Sequence, residues 1–266
     1  MNRKHKLFLP AMAFVVLLGL QITAISAFAQ GTGPGGPGAG GPGGAAGARR
    51  GGSLPPIPIA GDTSHTLTRN FNLATAVKKA PDPSGFIQRW LVLEPVKKND
   101  KSNSQLTESY LRTTFAANNF SPDYNAIPKN GSTVKIGNQD LKWYALDSKL
   151  FNFNLFHVSY ATNTTRNGVL YWLVTVVNCA EDIKNVRLAA GPNSGGGFWV
   201  NGQEVLVVPG DKDVIADLAT SSPLTLRKGK NVVRVAIMNG QGMANFCVRF
   251  LDEKGQPVKN FTLSVD

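Results

Sequence analysis

The sequence has 266 residues, of which 42% are hydrophobic and 17% are charged, and its formal net charge is +11. With 14 Phe, 5 Tyr and 4 Trp it carries enough large apolar side chains for a hydrophobic core, which excludes disorder throughout the chain. Five basic residues but no acidic residue precede Asp62, so the segment from Asp62 to the C-terminus carries only +6.

Residues 1–29 have the organisation of a cleaved secretory signal peptide. A basic start is followed by an apolar stretch over 7–20 and by small residues that end at Ala29. An uncleaved membrane anchor is the alternative, but three polar residues between 21 and 26 weaken it. We therefore predict a secreted or periplasmic protein that begins near Gln30 and has no later segment apolar enough to span a membrane.

Residues 30–61 are rich in glycine and proline and contain no large apolar side chain before Leu54. Such a segment cannot bury enough surface to offset the entropy lost on ordering, so we predict a low-complexity, disordered linker. Its G-x-G-x-x-G match lacks the preceding strand and following helix of a nucleotide site and follows from composition alone. The remaining residues, 62–266, are predicted to form a single domain.

Beyond Asp62, short runs of β-branched and aromatic residues are separated by clusters of turn-forming residues. In chain order we predict strands at 86–93, 155–162, 169–177, 186–190, 198–200, 204–208, 224–226, 232–238, 245–251 and 261–265. One helix is predicted at 105–117, with Ser104 as its N-cap. Many strands with one short helix indicate an all-β fold, an antiparallel β-sandwich.

Two local patterns support antiparallel pairing. Asn201-Gly202 stands between two predicted strands, and both residue types readily adopt the positive φ values of a type I′ hairpin. In the strand 232–238, Arg234 belongs to one face and three β-branched residues belong to the other. We expect Arg234 to point outward and the core to receive Val233, Val235 and Ile237.

The mature chain holds two cysteines, Cys179 at the end of one predicted strand and Cys247 inside another. In an oxidising compartment, a disulfide between them would stabilise the fold by roughly 3–5 kcal/mol. Two buried free thiols are the alternative, because cysteine is often buried as a small hydrophobic residue and pairing requires close Cα atoms. The sequence leaves both alternatives open.

Motifs of the common hydrolases and metalloenzymes are absent from the sequence. It contains no G-x-S-x-G, H-E-x-x-H, C-x-x-C or P-loop pattern. Beyond the signal peptide only His65 and His157 remain, and His157 alternates with apolar residues in a predicted strand, which favours a structural role over a general base. These absences argue against an enzyme, although a glycosidase would need only two suitably spaced carboxylates.

Asp211, Asp213 and Asp217 form the densest acidic group. Because Asp211 follows Pro209-Gly210, a solvated turn explains the group. The alternative is a surface Ca²⁺ site built from Asp211 and Asp213 with backbone carbonyls, and Ca²⁺ is the one cofactor that the sequence suggests.

The sequence pI of 9.8 would suit a nucleic-acid-binding protein. The basic residues are scattered, however, and most aromatic residues lie within apolar runs. Export would also separate the protein from the genome. We therefore expect no nucleic-acid partner, and a moderately positive surface would instead favour acidic polysaccharides through general electrostatics.

Three segments, in the same order along the chain, resemble a known protein family. They are the tryptophan strand 86–95, the hairpin 198–205 with its W-x-N-G motif, and the segment 226–235 with its K-G-x-N turn. From residue 86 to the C-terminus, the chain resembles an accessory β-sandwich module of the galactose-binding-like type, often found in secreted bacterial carbohydrate-active enzymes. The resemblance implies a jelly-roll sandwich. Two departures concern ligand contacts. Glu94 stands where the family usually has glycine, and Ser194-Gly195-Gly196 stands where acidic residues often precede the hairpin.

The resemblance implies carbohydrate binding without catalysis, at loops on one end or edge of the sandwich. In such sites an aromatic ring stacks on a sugar while amide or charged groups bind its hydroxyls. The residues that suit this role are Trp143, Tyr144, Asn193, Trp199 and Asn201. Polar neighbours, including Asp140, Lys142 and Asp147, favour Trp143 or Tyr144, whereas Trp199 also suits a core and Asn201 a turn.

The implied partner is a polysaccharide or oligosaccharide, bound alone or beside a carbohydrate-active enzyme. One alternative is a secreted glycoside hydrolase or carbohydrate esterase with an unrecognised site. The other is a structural envelope protein tethered by the glycine-rich segment.

Overall fold

A computed structural model describes residues 63–98, 102–210 and 212–266. The predicted signal peptide and linker lie outside these residues, as does Asp211. The helices are α1 (Thr63–Asn70), a 3-10 helix (Asn103–Gln105), α2 (Glu108–Ala117) and α3 (Leu155–Ala161). Within the described ranges, no helix is both long enough and apolar enough to cross a lipid bilayer.

The strands are β1 (Phe71–Leu73), β2 (Arg89–Leu93), β3 (Val96–Lys97), β4 (Thr133–Ile136), β5 (Gln139–Ser148), β6 (Phe153–Asn154), β7 (Val169–Cys179), β8 (Ile183–Ala190), β9 (Gly195–Val200), β10 (Gln203–Val208), β11 (Ala219–Thr220), β12 (Leu224–Leu226), β13 (Gly229–Asn239), β14 (Asn245–Phe246), β15 (Val248–Leu251) and β16 (Phe261–Ser264). A large antiparallel sheet has the order β1-β5-β2-β7-β13-β9-β10, with β3 and β16 also paired to β7 and β4 paired to β5. In a second sheet, β8 pairs with β11, β12 and β15, while β6 and β14 form a separate pair. The antiparallel pairing and the two sheets confirm the predicted all-β sandwich.

Both faces of the large sheet are buried. One face packs against the second sheet, and the core between them includes Val235 from β13 and Phe250 from β15. The other face is covered by α2 and by residues 118–131, and this second core includes Trp172 and Phe115. Because both faces are covered, the central strands β7 and β13 are buried almost continuously.

Glycines in β9 allow α2 to lie directly on the sheet. A Cβ atom on Gly195 would lie 2.7 Å from a methyl carbon of Leu111, and one on Gly197 would lie 2.7 Å from the ring of Phe115. Side chains larger than glycine would therefore push the helix away from the sheet. Close packing of α2 explains glycine at position 195, where the sequence departs from the resembling family.

The second core corrects the prediction for Arg234. The alternation along β13 is as predicted, since Val233, Val235 and Ile237 all belong to the core between the sheets. Arg234 does lie on the opposite face, but it is 0% exposed because residues 118–131 cover it. The sequence predicted the direction of this side chain correctly and its exposure wrongly.

The buried guanidinium of Arg234 is held by rings and by oxygens, without a carboxylate ion-pair partner among the described residues. Its central carbon lies 3.9–4.3 Å from the centres of three rings, those of Phe120, Tyr124 and Trp172. Its N–H groups donate to three oxygens of the covering segment, the carbonyls of Ser121 and Asp123 and the side chain of Asn119. Burial lowers the pKa of Arg234 to about 10. This value is still above neutral pH, so the group stays charged.

The described residues form three α-helices, where one was predicted. The predicted helix 105–117 begins later, at Glu108, because the side chain of Thr107 accepts a hydrogen bond from the Tyr110 amide and forms the N-cap. Ser104 lies inside the preceding 3-10 helix and does not cap α2.

The predicted strand 155–162 is wrong, because this segment forms α3. Asn154 caps the helix by accepting from the backbone amide of His157. The side chains that α3 buries recur at helical spacing, Leu155, Val158, Ser159 and Ala161. His157 therefore lies on a helix, and the strand setting assumed for its structural role does not exist.

The predicted type I′ hairpin is confirmed, and it contacts the other turn motif. Asn201 and Gly202 have φ values of 50° and 82°, and Val200 pairs with Gln203 across the turn. The Asn201 side chain donates to Asn231 Oδ1 at 2.8 Å, and Asn231 Oδ1 also accepts from a backbone amide of its own turn. The W-x-N-G and K-G-x-N motifs therefore meet in one hydrogen-bond network that joins β9 to β13.

Cys179 and Cys247 are both buried free thiols, the second of the two alternatives. Cys179 ends β7 just before β8 begins, whereas Cys247 exchanges backbone hydrogen bonds with Gly191, just beyond the far end of β8. The length of β8, about 23 Å, separates these positions, and a disulfide requires Cα atoms within about 7 Å. Burial raises the pKa of Cys247 to about 12, so its thiol is protonated at neutral pH.

Candidate functional site

The two tryptophans predicted as ligand-binding residues lie in the second core. Trp143 on β5 is 1% exposed and packs edge-on against Phe120, with ring centres 4.9 Å apart. Trp199 on β9 is 5% exposed and packs in the same way against Phe115 at 5.8 Å. Neither ring has a free face for a sugar, and Asp147, one of the polar neighbours that suggested a solvated setting for Trp143, is itself buried.

Tyr144 lies on the opposite face of β5 and is half-buried. Its hydroxyl donates to Glu94 Oε1 at 2.9 Å, and Glu94 Oε2 accepts from the Lys142 amide at 3.0 Å. Burial, together with this hydrogen bond, raises the pKa of Tyr144 above its ordinary value of 10. Glu94 therefore holds Tyr144 on the sheet. At position 94 the resembling family usually has glycine.

Asn193 and Asn201 lie at opposite ends of β9. The side chain of Asn201 is used within the hairpin network, whereas Asn193 Nδ2 donates to the backbone oxygen of Lys212 at 3.0 Å. Asn193 Oδ1 is buried and has no hydrogen-bond partner. The five residues predicted to bind a ligand therefore do not converge on one surface.

The acidic group does not form a metal site within the described residues. Asp213 is exposed, and Asp217 is bound to Arg249, whose Nε lies 2.9 Å from Asp217 Oδ1. Asp211 lies outside the described residues, and the described part of the chain contains no cluster of three or more His, Cys, Asp or Glu that could hold a metal ion. The Ca²⁺ site at Asp211 and Asp213 stays a prediction.

A cleft of about 360 Å³ between α1 and α3 is the best candidate for a functional site. This volume lies within the range of small-molecule pockets, about 300–1,000 Å³. Its lining combines aromatic rings with nitrogen-bearing side chains, from Arg69, Asn70, Phe156, His157, Tyr160 and Arg166. None of the six lining residues is a carboxylate.

The position of α3 is fixed by its buried face. Ser159 Oγ and the hydroxyl of Tyr171 on β7 form a hydrogen bond of 2.6 Å, and the Leu155 amide donates to the backbone oxygen of Ala244 at 2.8 Å. Because these contacts hold one face of the helix against the sandwich, the half-buried side chains between them line the cleft. These side chains are Phe156, His157 and Tyr160.

Arg166 connects the cleft to the loops at one end of the sandwich. Its guanidinium carbon lies 4.6 Å from the centre of the Phe156 ring. Its backbone oxygen accepts from Asn239 Nδ2 at 2.7 Å, and Asn239 Oδ1 accepts from Ser194 at 2.8 Å. The end of β13 and the loop before β9 therefore support the wall of the cleft.

His157 is the titratable group of the cleft. Partial burial lowers its pKa below the ordinary value of 6.5, and the nearby positive charge of Arg69 lowers it further. The imidazole is therefore neutral at neutral pH, with one ring nitrogen as a donor and the other as an acceptor.

The sequence contains one signal that would have found part of this site. Apolar or small residues at 155, 158 and 161 follow a helical spacing, and an α3 helix would place Phe156 and Tyr160 together on its other side. Arg69 belongs to a distant part of the sequence, and only the packing of α1 on α3 brings it to the cleft.

No family model matches the chain, and no curated protein matches it. Solved structures give distant similarities. The PA14 sugar-binding domain of an RTX adhesin is 15% identical, with 66% of this chain and 96% of that chain covered and a TM-score of 0.38. The PA14 domain of the antifreeze protein MpAFP is 13% identical, with 73% and 95% covered and a TM-score of 0.39.

A third similar structure is the A domain of epithelial adhesin 9 from Candida glabrata in complex with Galβ1-3GlcNAc. It is 8% identical, with 73% of this chain and 97% of that chain covered and a TM-score of 0.32. Of the three, the RTX adhesin domain is described as sugar-binding and the epithelial adhesin domain was solved with a bound sugar.

Proposed function

We propose that this chain is an exported, non-catalytic protein that binds carbohydrate in the cleft between α1 and α3. One observation carries the proposal: this cleft has the size of a ligand site and combines aromatic rings with several hydrogen-bonding side chains. The ring of Tyr160 offers an apolar surface to the C–H face of a sugar. Asn70, Arg69 and Arg166 offer donors to its hydroxyl groups.

The composition of the cleft favours binding over hydrolysis. Glycosidases of the common types use two carboxylates, and none of the six lining residues is acidic. The lining also lacks a serine or cysteine that His157 might activate as a nucleophile. A hydrolase would have to use a different surface of the protein.

Replacing Tyr160 with alanine is expected to weaken glycan binding about tenfold, because stacking of an aromatic ring contributes about 1 kcal/mol. Tyr160→Phe keeps the ring and is expected to retain most of the affinity. Screening the protein against plant and bacterial polysaccharides by affinity electrophoresis identifies a ligand, and isothermal titration calorimetry then measures the change.

A matched control is Phe151→Ala, which removes an exposed aromatic ring that packs on Phe86 outside the cleft. This variant is expected to bind as the unaltered protein does. If Phe151→Ala and Tyr160→Ala weaken binding equally, the cleft is not the site. Absence of binding to every glycan would favour a structural envelope protein, and released sugar or acetate would favour a hydrolase.

Export is tested on the protein from its own host. We expect to find the protein in the medium or the periplasm. Its intact mass should match that of a chain whose first residue is Gln30. A chain that retains residues 1–29 and sediments with membranes would contradict cleavage and support an anchor. Co-purification of a carbohydrate-active enzyme from the same fraction would identify the partner that the sequence resemblance implies.

A further inference from the structure

We propose that the cleft selects an acidic sugar, a uronic acid residue whose carboxylate is bound by Arg69 and Arg166. This inference rests on the proposed function, because it names the class of sugar that the same cleft would bind. It follows from the charge of the lining, which includes two arginines and no acidic side chain.

Arg69 and Arg166 have no carboxylate partner within the described residues, in contrast to three other arginines. Arg89 pairs with Asp147, Arg112 pairs with Glu108 and Glu204, and Arg249 pairs with Asp217. No ion pair involves Arg69 or Arg166 within the described residues. Their charges are therefore available to a ligand, and a carboxylate is the sugar substituent that matches the planar N–H fork of arginine.

The contact between Arg166 and Phe156 orients the Arg166 guanidinium for binding a carboxylate. A guanidinium that lies over an aromatic ring uses its flat face for that contact, while its N–H groups point along its own plane. Arg166 lies over the ring at 4.6 Å, and its backbone is fixed by the hydrogen bond to Asn239. Less side-chain freedom is therefore lost when the N–H groups bind a carboxylate.

His157 adds a dependence on pH. The groups that face it are Arg69 and Asn70 from α1, Arg166 from the loop after α3, and Tyr160 from its own helix. In the free cleft, burial and the charge of Arg69 favour the neutral imidazole. A bound carboxylate would favour the protonated form, so by linkage the protonated cleft binds the acidic sugar more tightly.

The test compares matched sugars that differ only in charge. Oligogalacturonate, oligomannuronate and a glucuronate-containing oligosaccharide are each titrated beside their carboxyl-reduced, neutral forms by isothermal titration calorimetry. We expect at least one acidic sugar to bind about tenfold more tightly than its reduced form, as hydrogen bonds to a charged group predict. Arg69→Gln and Arg166→Gln should weaken binding of the acidic form much more than binding of the neutral form, so that the preference is lost.

Arg227→Gln is the control, because Arg227 is an exposed arginine outside the cleft and its loss should leave the preference intact. The acidic-sugar proposal is overturned if the neutral forms bind as tightly as the acidic ones, or if the arginine variants weaken both equally. Carbohydrate binding would survive those results, whereas absence of binding to any glycan would overturn both proposals. Tighter binding of a sulfated oligosaccharide than of every uronate would assign the cleft to sulfate.

A pH series separates the role of His157 from that of the arginines. Between about pH 7.5 and about pH 5.5 the sugar carboxylate stays ionised, and affinity for the acidic sugar is expected to rise about three- to tenfold. His157→Gln should bind with little dependence on pH and keep the preference for the acidic form. A rise of equal size in His157→Gln would contradict the role of this residue.

Discussion

Replacing Arg234 with alanine is expected to lower the free energy of unfolding by about 3–5 kcal/mol, the range of the largest truncations in protein cores. Two losses add together. Removal of the side chain leaves a cavity among the rings of Phe120, Tyr124 and Trp172, and it ends three cation–π contacts at 3.9–4.3 Å. It also leaves buried oxygens of the covering segment without donors.

Two further variants separate these losses. Arg234→Met keeps most of the volume but supplies no donor, so it is expected to lose about 1–3 kcal/mol, the cost of leaving buried acceptors unpaired. Arg227→Ala removes an exposed arginine and is expected to change stability by less than about 0.5 kcal/mol. Urea unfolding followed by tryptophan fluorescence measures all three. A loss below 1 kcal/mol for Arg234→Ala would contradict the packing of residues 118–131 over this side chain.

Arg234 also marks how far the sequence predicts this fold. The period-2 pattern of β13 assigned the two faces of the strand correctly, because that pattern depends only on local backbone geometry. It did not reveal that both faces are covered. The cover on the second face comes partly from residues 118–131, an irregular segment that has no periodic signal, so only tertiary packing determines the burial of Arg234.

The prediction of a solvated setting for Trp143 was wrong for the same reason. Asp140 and Lys142 alternate with Trp143 on β5, so they describe the opposite face of the strand and not its own surroundings, whereas Asp147 shares the face of Trp143 but is buried. The face that carries Trp143 is covered by Phe120, from the same irregular segment. Neighbours in the sequence therefore gave no information about burial at this position.

The candidate cleft was only partly within reach of the sequence. The helical spacing in α3 was available and was misinterpreted as a strand because the segment is short, apolar and rich in aromatic residues. The charge of the cleft was not available, because Arg69 and Arg166 come from different segments and meet only through the contact between α1 and α3. The turn motifs, in contrast, were predicted correctly, since the type I′ turn is determined by the residues within it.

The second large effect is expected at the buried ion pair between β2 and β5. Arg89 and Asp147 are cross-strand neighbours with 3% and 6% exposure, joined by two hydrogen bonds of 2.8 and 2.9 Å. Asp147→Asn is nearly isosteric, but it removes the negative charge and leaves the Arg89 guanidinium buried without compensation. We expect a loss of about 3–5 kcal/mol in the free energy of unfolding. The exposed pair of Arg112 with Glu108 provides the control, and Glu108→Gln should cost less than about 0.5 kcal/mol.

The double variant Arg89→Met with Asp147→Leu distinguishes an uncompensated charge from a general loss of packing. Once both charges are absent, no buried ion remains to be compensated, so most of the stability lost in Asp147→Asn should return. The recovery should be incomplete, because Arg89 also donates to the backbone oxygens of Thr75 and Val77, and methionine cannot replace those donors. Urea unfolding of the unaltered protein, Asp147→Asn, Glu108→Gln and the double variant measures these differences. Double-variant stability no higher than that of Asp147→Asn would mean that the pair stabilises the sandwich mainly through shape, and that its charges contribute little.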